Sequence, residues 1–147
     1  MRTRYALEAL TLLAERPGAL MLIADLAARG RIPRKFLEAI LRDLKRQGLL
    51  TSQRGPGGGY ALQVDAKEIT LARIVRALNG ALVPVPCASR TPGQACEACR
   101  NGGACSIRLV LEDLHQATAK VLEGTTLAEL ARRTFAARHP FALKHAI

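Results

Sequence analysis

The sequence predicts a mainly α-helical fold carrying one small β-hairpin, and three observations carry that expectation. Apolar residues recur at three- and four-residue steps over most of the chain, the periodicity of amphipathic helices. Aromatic residues make up only 3% of the sequence and tryptophan is absent, so the core must be built from Leu, Ala, Ile and Val, a mixture that leans helical. A single glycine-rich run, Arg54-Gly55-Pro56-Gly57-Gly58-Gly59, joins two short strand-like segments. At 147 residues, half of them apolar, the chain has room for one compact domain and a small appended segment.

The first helix runs from Arg4 to Glu15, with Ala6, Leu7, Leu10, Leu13 and Ala14 on its inner face. Arg16-Pro17-Gly18 ends it, because proline cannot continue the ladder and glycine tolerates the exit geometry. A short second helix spans about Leu22 to Arg29, with Ile23, Leu26 and Ala27 facing inward. Gly30-Arg31-Ile32 makes a tight turn, and Pro33 stands where a first helical residue belongs. The third helix continues to about Gln47, with Phe36, Leu37, Ile40, Leu41 and Leu44 on the buried side, and Gly48 stops it. Leu49–Gln53 and Tyr60–Val64 are the hairpin strands. Another helix spans Ile69–Leu78, with Thr70 as its N-cap, and ends at Asn79-Gly80. The segment Ala81–Gly103, rich in Pro, Gly and Cys, is expected to be a loop. A long helix from about Ile107 to Leu122 places Ile107, Val110, Leu114, Ala117 and Val121 on a narrow seam, which Leu111 and Leu122 widen. A last short helix, about Leu127–Arg133, precedes a frayed tail.

Two short helices joined by a glycine-containing turn are the sequence form of a helix-turn-helix, and a hairpin directly after the second helix is a wing. The alternative for the glycine run is a phosphate-cradling loop. Such a loop ends in Gly-Lys-Ser/Thr and feeds a helix, whereas this one lacks the lysine and feeds a strand. The whole is therefore a winged helix-turn-helix followed by a long helix, expected to be a dimerisation helix, the alternative for its seam being docking on the chain's own core. The layout is a DNA-binding domain at 1–66, a connecting helix at 67–80, a cysteine-rich cluster-binding loop at 81–106, dimerisation and C-terminal helices at 107–133, and a tail at 134–147.

Charge agrees with that layout. Lys and Arg number 22 against 12 Asp and Glu, a net +10, which suits a polyanionic partner. Residues 1–61 carry eleven of the cations and five acids, a net +6 on the reading head. Arg34 and Lys35 occupy the first turn of the recognition helix, the end that enters a major groove. There they can hold phosphates or donate to guanine edges, and Glu38 can accept from a cytosine amino group. Arg54, at the base of the wing, can reach into a minor groove, while Gly57 and Gly58 leave the wing tip free of bulk. For Arg42, Lys45 and Arg46 a solvated surface, or at most a backbone contact, is the plainer reading. No apolar run is long enough to span a membrane, and the start lacks a signal-peptide core, so a cytoplasmic location is expected. No Ser/His/acid set, Cys/His set or paired carboxylates suggest an enzyme.

Cys87, Cys96, Cys99 and Cys105 follow a C-x8-C-x2-C-x5-C pattern. Thiolates suit iron–sulfur clusters and zinc alike, and a loop with Pro92, Gly93, Gly102 and Gly103 can wrap a metal. Spacing does not choose between the two, nor does it remove free or disulfide-forming thiols.

Arg4-Tyr5-Ala6-Leu7, Phe36-Leu37-Glu38 and above all Arg54-Gly-Pro-Gly-Gly-Gly-Tyr60 resemble the Rrf2 family of bacterial transcriptional regulators. So do Ile69-Thr70-Leu71, the clustered cysteines and Thr125-Thr126-Leu127-Ala128-Glu129-Leu130, and the likeness extends to about residue 133. The resemblance implies a homodimer that binds duplex DNA, with Lys35 and Glu38 at recognition-helix positions and Arg54 as the wing arginine. It also implies an iron–sulfur cluster, a 2Fe–2S cluster slightly ahead of 4Fe–4S, with zinc as the alternative. The family's three-cysteine pattern overlays Cys87, Cys99 and Cys105, leaving Cys96 as a candidate fourth ligand beside a non-Cys or exogenous one.

The sequence departs from the family pattern in three places. It starts about four residues later than is usual, and Arg4 stands where some relatives supply an acidic cluster ligand. Arg108 stands where a histidine can complete the site, and His115, a further turn along, reads as an ordinary helix residue. The turn glycine is Gly30 rather than the position of Arg31. The expected function is a DNA-binding regulator sensing iron–sulfur, redox or nitric oxide status. The alternatives are a zinc-binding or thiol-redox winged-helix repressor and, from another class, a protein-interaction adaptor that does not bind DNA.

Overall fold

The first helix is the axle of the structure. A computed structural model describes residues 1–80 and 106–138, and in it α1 (Arg2–Ala14) touches α2 (Ile23–Gly30), α3 (Arg34–Arg46), α4 (Leu71–Asn79) and α6 (Leu127–Arg138). With so many neighbours it buries more than one stripe: Ala6, Ala9, Leu10, Leu12 and Leu13 are all enclosed. Even Thr11 is buried, its hydroxyl satisfied by donating to the Leu7 carbonyl at 2.7 Å. Leu26, Leu37, Ile40, Leu41, Leu44, Leu50, Ile69 and Ile74 complete one core around it. Each such side chain contributes about 2 kcal/mol by leaving water.

Two details of the helix-turn-helix differ from expectation. Pro33 is the N-cap of α3 rather than its first residue, with φ −58 and ψ 125. Its carbonyl accepts from the amides of Phe36 at 3.0 Å and Leu37 at 3.1 Å, so the helix begins at Arg34. Phe36, placed on the buried side by the sequence pattern, is 61% exposed. It lies about 40° beyond Ile40, at the edge of the stripe of Leu37, Ile40, Leu41 and Leu44, and rests against Tyr5 at 6.5 Å between ring centres. In the turn itself Arg31 takes the left-handed conformation, φ 49 and ψ 43. Among the described residues no other non-glycine has positive φ. Gly30 cannot surrender its place to a larger residue easily, since a Cβ there would lie 2.8 Å from the Cδ1 of buried Ile32.

The wing is an antiparallel pair, β1 (Leu50–Gln53) and β2 (Gly59–Leu62), with Leu50 opposite Leu62 and Gln53 opposite Gly59. It is shorter than its sequence pattern, because past Leu62 only the Gln63 amide still bonds back, to Leu49 at 3.0 Å. Met21 and Tyr60 exchange both backbone hydrogen bonds at 2.9 Å, which fastens the wing to the entrance of α2. Gly59 makes this possible: a Cβ there would fall 2.6 Å from the Met21 carbonyl carbon.

Thr70 caps α4 as expected, accepting from the Arg73 amide at 3.2 Å. The turn between α5 (Ser106–Gly124) and α6 is stitched to the start of α4. Leu127 donates to the Ile69 carbonyl at 2.7 Å and Leu71 to that of Thr125 at 2.9 Å. Helix α6 continues to Arg138, five residues past its expected end, so the first part of the expected tail is helical. The Arg138 guanidinium reaches Glu8 and Glu15 on the α1 side, which holds the added turn down. The expected loop with Cys87, Cys96, Cys99 and Cys105 lies outside the described residues.

Candidate nucleic-acid interface

Helix α3 buries Leu37, Ile40, Leu41 and Leu44 in the core, and a rotation of 100° per residue fixes what the rest of it faces. Lys35, Arg42 and Arg46 point directly away from the core and are exposed. Arg34, Glu38 and Lys45 lie on the side of the wing, where Lys45 Nζ donates to Ser52 Oγ at 2.6 Å. Phe36 and Asp43 lie on the α1 side, where Asp43 accepts from Arg2 and Arg46.

Between α3 and the wing runs a groove of about 500 Å³ whose lining includes Glu38, Arg42, Lys45, Gln53, Arg54 and Gly58. Arg34 Nε donates to Glu38 Oε1 at 3.3 Å, an exposed pair that restrains both side chains without committing either. Lys35 and Arg54 are exposed. Gly57 is exposed with φ 75, and open space surrounds it. Gly58 is buried, its amide donating to the Gly55 carbonyl at 2.9 Å, and a Cβ there would run into the Gln53 carbonyl oxygen. The structure thus brings Glu38, Arg54 and Gly58 to one groove and leaves Arg34, Lys35 and Gly57 outside its lining. It adds Arg42 and Lys45, which the sequence reading set aside. The signal was available: residues 38, 42 and 45 follow the i, i+4, i+7 rule for a single helical face.

Candidate metal ligands divide differently. All four cysteines fall outside the described residues, and among those described no three His, Cys, Asp or Glu side chains gather as a metal site. Arg4 is exposed at the start of α1, and Arg108 Nε donates to Glu112 at 2.7 Å, so cations stand at both places where the resemblance puts a non-Cys ligand. His115 is half-buried on α5, with Nδ1 enclosed and lacking a hydrogen-bond partner among the described residues.

A recognition helix and a wing converging on one cationic groove are the parts of a duplex reader. The sequence model of the Rrf2 family, described as an iron-dependent transcriptional regulator, matches residues 1–133. The chain belongs to the Rrf2 family. An Rrf2-like HTH-type transcriptional regulator of Rhodobacter capsulatus is 35% identical over 134 residues, 88% of this chain and 89% of that one. The HTH-type transcriptional regulator IscR of Serratia proteamaculans is 34% identical over 108 residues, covering 74% of this chain and 62% of IscR. Among solved structures, CymR, the global cysteine regulator of B. subtilis, superposes with a TM-score of 0.75 at 28% identity, over 90% of this chain and 95% of CymR. IscR of T. potens, at 24% identity and a TM-score of 0.72, covers 91% of this chain and 85% of its own, and supports the fold. This Rrf2 chain is therefore a winged-helix transcriptional regulator and not an enzyme. Among its described residues no helix is long and apolar enough to cross a membrane.

Proposed function

We propose that this Rrf2 protein is a homodimeric regulator that reads duplex operators through α3 and the wing and senses iron–sulfur, redox or nitric oxide status through its cysteines. The observation that carries the reading is the groove between α3 and the wing. Arg42, Lys45 and Arg54 line it beside Glu38, and Arg34 and Lys35 flank the end of α3 that leads into a major groove. Arg54 is the minor-groove residue of this reading, Lys35 and Glu38 the base-edge readers, and Gly57 and Gly58 allow the wing backbone a close approach. Dimerisation is supported by the α5 seam: Ile107, Val110, Leu114 and Val121 are each more than half exposed, an apolar strip too continuous to leave in water.

Cys87, Cys96, Cys99 and Cys105 are the residues that would hold the cluster. Four thiolates fit iron–sulfur or zinc chemistry, and with arginine at positions 4 and 108 no other family ligand position offers a donor. A bound iron–sulfur cluster supplies redox chemistry and reactivity toward oxidants and nitric oxide. In the chain the cysteines lie between α4, which belongs to the reading head, and α5, so a change in how the thiols are held biases the spacing of two heads. The family description as iron-dependent favours iron over zinc. The deciding experiment is an anaerobic visible spectrum with iron and sulfide counts, followed by duplex binding of cluster-loaded and apo protein at one salt concentration. A brown protein whose two forms differ in affinity is expected. A colourless zinc protein removes the cluster, and equal affinities on every duplex tried remove the sensing step.

A further inference from the structure

On the flank of α3 away from the wing, a second cleft of about 360 Å³ is lined by Arg4, Tyr5, Glu8, Arg29, Arg31 and Arg138. It adjoins the leading end of α3. Tyr5 rests against Phe36 in the first turn, and Arg31 precedes Arg34 by three residues. Four arginines and one acidic residue therefore line one small space. The acid, Glu8, is taken by Arg138, and Arg29 is paired with Glu15 at 3.2 Å. Arg4 and Arg31 have no acidic partner among the described residues. Arg31 also carries the strain of a left-handed backbone at φ 49. Two cations without acidic partners in one cleft, one of them on a strained backbone, suit an anionic ligand.

We propose that this cleft is a phosphate site, and that Arg4 and Arg31 hold a phosphodiester of the DNA backbone on the side of α3 remote from the wing. The inference rests on the duplex-reading function proposed above. A helix lying in a major groove is bordered by backbone on both sides, and the wing with Arg54 serves only one of them. The guanidinium fork matches the phosphate oxygens, so a pair of arginines is well suited to the other.

The test is full-length protein titrated with a random-sequence duplex over a salt series. The variants are Arg4→Ala, Arg31→Gly and both together, with Arg54→Ala as the wing control. Glycine suits the left-handed position, so Arg31→Gly removes the charge without straining the turn and melts no lower than wild type. The double variant is expected to flatten the plot of log affinity against log salt by roughly 0.9 for each phosphate the cleft holds. Arg4→Lys in the Arg31→Gly background retains part of the slope. A double variant with the wild-type slope, while Arg54→Ala still flattens it, overturns this site alone. Wild-type protein without salt-dependent duplex binding overturns the reading on which it rests. Inorganic phosphate bound through Arg4 and Arg31, with the duplex slope unchanged, makes the occupant a free anion and overturns the backbone assignment.

Discussion

Arg31 shows how a single residue can carry a cost that its neighbours impose. The turn needs one left-handed residue, but the glycine available is Gly30, and it is kept in place by the Ile32 side chain beneath it. Arg31→Gly is expected to stabilise the protein by about 1 kcal/mol, read from thermal or urea unfolding. No gain would mean that Arg31 has compensating contacts. Phe36 carries the complementary lesson. Its position four residues before Ile40 reads as part of the apolar stripe, yet about 40° of rotation beyond Ile40 leaves it exposed beside Tyr5. Leu37→Ala should therefore cost about 3 kcal/mol and Phe36→Ala less than about 1, a contrast that equal losses would refute. Exposure was not legible because periodicity gives the direction of a face and not its width. The width is set by which helix lies opposite.

At the scale of elements, periodicity located every helix in the described residues, since each one carries an apolar stripe, and glycine or proline marked most ends. It failed at the end of α6. The last turn there is held by Arg138 reaching Glu8, 130 positions back along the chain, which no local pattern records. The first turn of the same helix is held locally. Arg132 and then Arg133 donate to Glu129 and keep its carboxyl well below the ordinary 4.5, at about 2. A depressed folded value means the contribution is complete above the ordinary carboxylate range and is lost as pH falls through about 2. Carboxyl NMR should show Glu129 titrating near 2, and moving upward in Arg132→Ala more than in Arg133→Ala. Helix α5 makes the opposite demand on the sequence. Its seam was legible residue by residue, and the fold covers Leu111 and Leu122 only in part while Ile107, Val110, Leu114 and Val121 face outward. Leu114→Glu should convert a dimer to monomer in sedimentation equilibrium with little change in helix content. A monomeric wild type would dismiss the seam as an interface.

For the whole molecule, the question is whether the reading head and the α5–α6 arm are separate bodies. The layout expected from sequence ends the DNA-binding domain at 66 and begins the last two helices at 107, and one core draws on both segments. Leu127 is fully buried in the same cluster as Leu10 and Leu44, while Ala128 donates to Ala66 of the head and Leu127 to Ile69 just before α4. Helix α6 also lies along α1, the axle of the head. The sequence could not reveal this, because an inward leucine looks the same whichever core receives it. The physical consequence is one cooperative unit, in which strain at the base of α5 reaches the recognition helix through packed side chains. The chain contains only two tyrosines, Tyr5 and Tyr60, and both report on the head, whereas far-UV circular dichroism reports on all helices. The two signals should lose structure at one denaturant midpoint. Leu127→Ala should lower both together by about 3 kcal/mol, although it touches neither α3 nor the wing strands in sequence. A tyrosine midpoint that stays put while the circular dichroism midpoint falls would make the arm independent, and would deny the cysteine segment this route to the DNA-reading surface.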